Sequence, residues 1–174
     1  MTDEIKSAYL APEGLAEHLL KEVEGVIAIH DRLVLSSQPF FNAHWAQNIW
    51  KNPVTLSIDS INDAAKKLKS IQRNWSLYSF TLHRRAKLIV EKLNSRKPQP
   101  ISFPTLPPSQ GIGSWCLLDE NTLLASADCS SPFPNGEPSF AEDKVGPPNR
   151  AYLKLYEALT LAQKTPSQGD FCID

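Results

Sequence analysis

"PVTLSIDSINDAAKKLKSIQ" (residues 53–72) and, one residue later, "NWSLYSFTLHRRAKLIVEKL" (residues 74–93) decide the fold class. Each begins as a strand and continues as a helix. In the first, the run after Pro53 gives way to a pattern in which Ile61, Ala65, Leu68 and Ile71 share one face, with Asp59 or Ser60 supplying the oxygen of an N-cap. In the second, Trp75, Leu77 and Ser79 alternate with Ser76, Tyr78 and Phe80 before another helical pattern takes over.

Upstream, "SAYLAP" (residues 7–12) predicts a short strand. "EGLAEHLLKEV" (residues 13–23) predicts a helix opened by Pro12, with Leu15, Leu19 and Val23 as its buried stripe. "GVIAIHDRLVLSS" (residues 25–37) alternates around a turn at His30 to Arg32 and predicts a hairpin. "FFNAHWAQNIWKN" (residues 40–52) fits a strand or a short helix, with Trp45 and Trp50 partly buried in either. Strand, helix, hairpin, strand, helix is the composition of an α+β sandwich. It resembles a ferredoxin-like layer, an antiparallel sheet with helices on one face.

The chain changes character at Pro98. Ten of its fourteen prolines fall between Pro98 and Pro148, a density that forbids long helices. Within this stretch "SWCLLDENTLLASAD" (residues 114–128) predicts a hairpin turning at Asp119 to Asn121, and "CSSPFPNGEPSFAEDKVGPP" (residues 129–148) a connection. A helix follows Pro147 and Pro148, capped by Asn149, with Tyr152, Leu155, Tyr156 and Leu159 as its apolar stripe. Arg150, Lys154 and Glu157 share another face at spacings of four and three. "FCID" (residues 171–174) reads as the opening of a buried strand. The predicted divisions are residues 1–97, an α+β recognition domain; 98–146, a proline-rich hairpin and connection; and 147–174, a helix leading into a strand.

With 41% hydrophobic and 21% charged residues over 174 positions, the composition is that of a globular domain rather than a disordered one. No run approaches the roughly 18 to 20 apolar residues of a membrane span. The start, "MTDEIKSAYL", has acids where a secretory signal needs bases, so the sequence points to a cytoplasmic protein without a membrane partner. Cys116, Cys129 and Cys172 are odd in number and far apart, which suits reduced thiols. No CxxC or HxxxH pair supports a metal site. "GIGSW" lacks the closing glycine of a nucleophile elbow, and Cys116 has no visible acid–base partner, so hydrolase chemistry has little support.

Charge is uneven. Between Lys66 and Lys97 ten bases face one acid, Glu91, in a chain whose net charge is -1. Such a block is the electrostatic footprint of a polyanion-binding face. Lys66, Lys67, Lys69 and Arg73 form its first half, which reads equally as a solvated helix face or as phosphate contacts. His83, Arg84, Arg85 and Lys87 form a denser second cluster, the preferred one. Trp75, Tyr78 and Phe80 between them are either half-buried strand residues, the commoner case, or rings that stack on unpaired bases.

"SPFPNGEPSF" followed by "PPNRAYLKLYEA" resembles the junction ahead of the catalytic domain in the FtsJ-like ribose 2′-O-methyltransferases, the RlmM-like enzymes of large-subunit ribosomal RNA in particular. The resemblance covers residues 125–174. It implies an enzyme that moves a methyl group from S-adenosylmethionine to a ribose 2′-hydroxyl. It implies that Lys154 is the first lysine of a Lys-Asp-Lys-Glu tetrad acting on that hydroxyl, and that Asp174 is the acid opening a cofactor-binding glycine loop in a Rossmann-like domain. On this reading the remaining tetrad members and the loop follow Asp174, and the 174 residues alone are inactive. The partner implied is RNA, ribosomal RNA in the first instance, met by Arg84, Arg85, Lys87, Lys66, Lys67, Lys69, Arg73 and Arg150. The alternative is an α+β module that binds nucleic acid or protein and does no chemistry. A third reading keeps the enzyme and makes the amino-terminal region a protein-docking surface.

Overall fold

Strands buried along their whole length need a cover on each face, and four stretches of this chain have that pattern: Ser7–Leu10, Leu33–Ser36, Gly113–Leu117 and, but for its first residue, Thr122–Ser126. A computed structural model of the chain describes residues 4–94 and 98–171 and shows how the covers are supplied. In chain order the elements are β1 (Ser7–Leu10), α1 (Ala16–Leu20), β2 (Val26–His30), β3 (Leu33–Ser36), β4 (Asn48–Lys51), β5 (Val54–Ser57), α2 (Ile61–Ile71), β6 (Trp75–Leu77), α3 (His83–Leu93), β7 (Gly113–Leu117), β8 (Thr122–Ser126), β9 (Asp128–Cys129) and α4 (Tyr152–Ala162). The chain is α+β and divides into two units. The first comprises the described parts of Met1–Lys97 and Gln110–Glu137, and the second those of Pro98–Ser109 and Pro138–Asp174.

The first unit holds two sheets. One has the order β2-β3-β1-β4-β9 with every neighbour antiparallel. The other has the order β5-β8-β7-β6, mixed because β6 runs parallel to β7. Alternation along the strands sorts the core into three clusters. Ala8, Leu10, Leu33, Leu35 and Trp50 of the first sheet meet Tyr78, Cys116 and Leu124 of the second. On the far side of the first sheet, Tyr9, Val34 and Ile49 pack on Leu19 and Val23. On the far side of the second, Trp115, Leu117, Leu123 and Ala125 pack on Ala64, Ala65 and Leu68 of α2 and Ala86, Ile89 and Leu93 of α3. The result is four layers: α1, sheet, sheet, then α2 with α3.

This departs from a single sheet with helices on one face. The 114–128 hairpin, expected in a separate proline-rich stretch, supplies β7 and β8, the two inner strands of the second sheet. Ser126 marks the crossing between sheets: its Oγ sits 2.7 Å from Lys51 O and 2.8 Å from Asp128 O, and two residues later the chain pairs with β4. The first helix is shorter than expected, five residues, because Gly14 at φ 76° breaks the turn that Pro12 was to open. Leu19 and Val23 are nevertheless buried. Trp50 is fully buried on β4, whereas Trp45 is 40% exposed in the loop before it, so the two tryptophans part company.

Tyr78 locks the β2–β3 turn from between the sheets. Its hydroxyl donates to Asp31 Oδ2 (2.6 Å) and accepts from Arg32 N (3.1 Å), at a turn where Asp31 adopts φ 56°. Burial, and then the Asp31 carboxylate, push the phenol up to about 12. A raised folded-state value favours the neutral form, so this contribution is complete below the free phenol's pKa of about 10 and is lost as pH climbs toward 12. Tyr78→Phe should cost about 1–2 kcal/mol at pH 7. The difference in unfolding free energy between wild type and variant, followed by urea denaturation, should shrink between about pH 10 and 12. A difference constant across that window would refute the bond to Asp31.

Candidate nucleic-acid interface

The basic block is built from α2 and α3, which lie on one face of the second sheet. Ser60 caps α2 by accepting from Asp63 N (3.1 Å), and Asp63 Oδ2 accepts from Asp59 N (3.1 Å) in return. Lys67 is drawn inward, its Nζ donating to Asp63 Oδ2 (2.8 Å) and Ser57 O (2.6 Å). The Lys67 bond, with the Asp59 amide, holds the Asp63 carboxyl below the usual range. Ala64, Ala65 and Leu68 face the sheet, which leaves Lys66 and Lys69 exposed on the outer stripe, with Arg73 exposed just past the end of the helix. Ile71, expected inside, is 41% exposed at the last turn.

On α3, Ala86, Ile89 and Leu93 are buried and Arg84, Lys87 and Lys92 exposed. Arg85 is half-buried, and its Nε finds no partner among the described residues. The first turn holds no acid, although a helix amino terminus favours one. Arg84 and Arg85 therefore sit where the helix dipole opposes them, at about 0.3–1 kcal/mol each.

Because β5 and β6 run in the same direction, the helices that follow them lie side by side with their carboxyl ends together. Lys69 Nζ donates to Lys92 O (2.7 Å) across that end. Sequence spacing had not singled out Lys92, although positions 84, 87, 88, 91 and 92 recur on one helical face and could have done so. Between Asp59 and Lys92 the layer carries eight bases against three acids. Arg96 and Lys97, the end of the basic block, lie outside the described residues.

The aromatics between the two basic runs turn inward. Trp75 is buried and its Nε1 donates to Leu68 O (3.0 Å) and Gln72 O (2.9 Å), satisfying carbonyls at the end of α2. Tyr78 is buried between the sheets. Neither ring is available to stack on a base, and the core reading holds for both. Phe80 is half-buried and stacked on His30, ring centroids 4.8 Å apart, and partial burial holds that imidazole below its usual range.

The second unit holds Lys154. Its core is aromatic: Phe103 stacks on Tyr156 at 4.0 Å, and Phe140 and Tyr152 meet Tyr156 edge-on. Asn149 Oδ1 accepts from Ala151 N (2.8 Å) at the opening turn before α4. Tyr152 ties that turn to Asp143, accepting from its N (2.7 Å) and donating to its O (3.2 Å). The amides of Val145 and Gly146 hold the Asp143 carboxyl below the usual range. Leu155, expected on the apolar stripe, is 57% exposed, while Thr160 is buried and Leu153 half-buried. Stacking on Tyr156 has turned the inner face away from Leu155.

Lys154 is exposed: its backbone N–H donates to Ala151 O (3.1 Å), while its side-chain amine makes no hydrogen bond or ion pair among the described residues. Arg150 is paired with Glu142 at 2.6 Å, at a surface position where such a pair is worth about 0–1 kcal/mol. Its charge is thus partly answered within the chain. Phe171 is exposed and belongs to no strand, and Cys172 to Asp174, with the proposed cofactor acid, lie outside the described residues.

S-adenosylmethionine does not fit the described residues. Its cradle needs a glycine-rich turn at the end of a parallel strand. The described parallel strand that leads directly into a helix, β6, continues through Tyr78 to Leu82 without a glycine. Among the described residues no group of three or more His, Cys, Asp or Glu side chains could hold a metal ion, and no helix is long and apolar enough to cross a membrane. No family model, curated protein or solved structure matches the chain.

Tyr156→Ala should loosen the second unit alone. Limited proteolysis should then cut within residues 98–109 at least about tenfold faster, while amide protection of β7 and β8 is unchanged. Unaltered cleavage would show that the ring stack does not order that segment.

Proposed function

We propose that this chain is the substrate-recognition region of an S-adenosylmethionine-dependent RNA ribose 2′-O-methyltransferase acting on ribosomal RNA. The observation that carries the recognition role is the gathering of two separate basic runs onto one helical layer, with cations placed against the α3 dipole. Charges of this kind neutralise phosphates and release counterions with little regard to sequence. The chemistry rests on "PPNRAYLKLYEA" and its resemblance to the helix that carries the first tetrad lysine.

On this reading the first sheet is a ferredoxin-like layer. The order β4-β1-β3-β2, with α1 crossing from β1 to β2, is a split βαβ arrangement, and a loop stands where the second crossover helix would be. A Rossmann-like catalytic domain would follow Asp174 and bind the cofactor. Lys154 would act on the proton of the 2′-hydroxyl, which requires substrate or further protein to close over its exposed amine. The exposure of Lys154 equally favours the second reading, an α+β module that binds nucleic acid and does no chemistry.

One measurement tests the basic layer and a second separates the two readings. Reversing Arg84 and Arg85 to Glu should weaken RNA binding and lower the slope of log affinity against log salt by about 0.7–0.9 per lost contact. Unchanged binding would remove the basic layer from recognition. In a protein that joins this chain to its catalytic domain, Lys154→Ala should abolish methyl transfer to ribosomal RNA while labelled cofactor still binds. Retained turnover would leave the module reading.

A further inference from the structure

We infer that the α2–α3 face takes paired rather than unpaired RNA. The inference rests on the proposed RNA-binding role of that face and narrows its substrate. Single-strand binders combine a basic track with aromatic platforms on which bases stack, whereas duplex RNA is held through phosphates and shape. On this layer the track is present, and among the described residues the one exposed ring is the small imidazole of His83, whose Nδ1 lies 2.7 Å from Ser79 Oγ. Lys66, Lys69, Arg73, Arg84, Lys87 and Lys92 are exposed, while Trp75 and Tyr78 are buried with their polar atoms bonded inside the protein. The exposed large apolar side chains of α2 and α3 are Ile71 and Leu88, which offer no ring.

The large exposed rings of this unit lie elsewhere. Phe40, Phe41 and Trp45 belong to the loop between β3 and β4, where Phe41 packs on Tyr9 and Trp45 on His18. Tyr9 faces α1 on the far side of the first sheet, so these rings sit two sheets away from the basic layer.

The geometry of the cations points the same way. Two eleven-residue helices run side by side, each about 16 Å long and about 8–10 Å from its neighbour. On each helix an exposed pair three residues apart, Lys66 with Lys69 and Arg84 with Lys87, puts Cβ atoms about 5–6 Å apart, so two short rows of cations face outward. A single strand presents one row of phosphates. A duplex presents two, flanking the deep and narrow major groove of A-form RNA, and two rows of cations match two rows of phosphates.

The test compares an RNA hairpin stem with an unstructured RNA of equal phosphate number, by fluorescence anisotropy with the 174-residue chain. Wild type is set beside a Lys66→Glu, Lys87→Glu variant whose fold is checked by circular dichroism; both lysines are exposed, so folding should be unaffected. The stem is expected to bind on the order of tenfold tighter, and the variant to lose most of that binding. Equal or tighter binding of the unpaired RNA, still sensitive to the variant, would overturn the duplex preference and leave the RNA-binding role intact. Binding of both RNAs that ignores the variant, or binding of neither, would overturn the role and the preference together.

Discussion

The inner hairpin of the second sheet, β7 with β8, is buried on both faces, and the arrangement of the first unit follows from that constraint. Along β7 and β8 adjacent residues look in opposite directions, and both directions are apolar: Trp115, Leu117, Leu123 and Ala125 toward the helices, Cys116 and Leu124 toward the other sheet. A hairpin of this kind is satisfied only between two covers. One is the first sheet; the other is α2 with α3, which must turn their apolar stripes inward. Their polar faces are thereby collected on one outer surface, and the basic residues of two separate sequence runs become neighbours. The gathering of basic residues on one surface is thus a by-product of how the doubly buried hairpin obtains its cover. The same burial pushes the Cys116 thiol up to about 12, which leaves it a core residue rather than a nucleophile.

Local pattern made much of this legible. Ser60, one of two candidate caps of α2, the pairing of β2 with β3, the β7–β8 hairpin and the helix after Pro148 rest largely on interactions between near neighbours, and spacing reports those faithfully. Pairing over long separations was not legible. Nothing near Gly113 announces that β7 will lie parallel to β6, from which a proline-rich stretch divides it, or that β9 will leave one sheet for the other. The hairpin at residues 114–128 was legible among the prolines, and its place at the centre of the second sheet was not.

The basic face was half legible. The excess of charge could be counted, and its confinement to one layer depends on the sheet beneath it. The aromatics were a matter of context: Trp75 and Tyr78 alternate as a stacking platform would, and what decides their role is that both sides of their strand are covered. On α4 the error was rotational. Spacing favoured Leu155, but the stack of Phe103 on Tyr156 fixes the helix about its axis and leaves Leu155 in solvent. Lys154 and Arg150 carry their suggested roles by resemblance alone, since neither is gathered with other chemical groups among the described residues.

The central claim is that the surface of α2 and α3 is where RNA meets this chain. The most direct measurement is a titration of isotope-labelled protein with a ribosomal RNA stem-loop, followed residue by residue through amide chemical shifts. The account predicts that shifts cluster at residues 61–73 and 83–93, with β1 and the loop around Phe40 and Trp45 undisturbed. Shifts centred on that aromatic loop or on the second unit, with α2 and α3 silent, would contradict it.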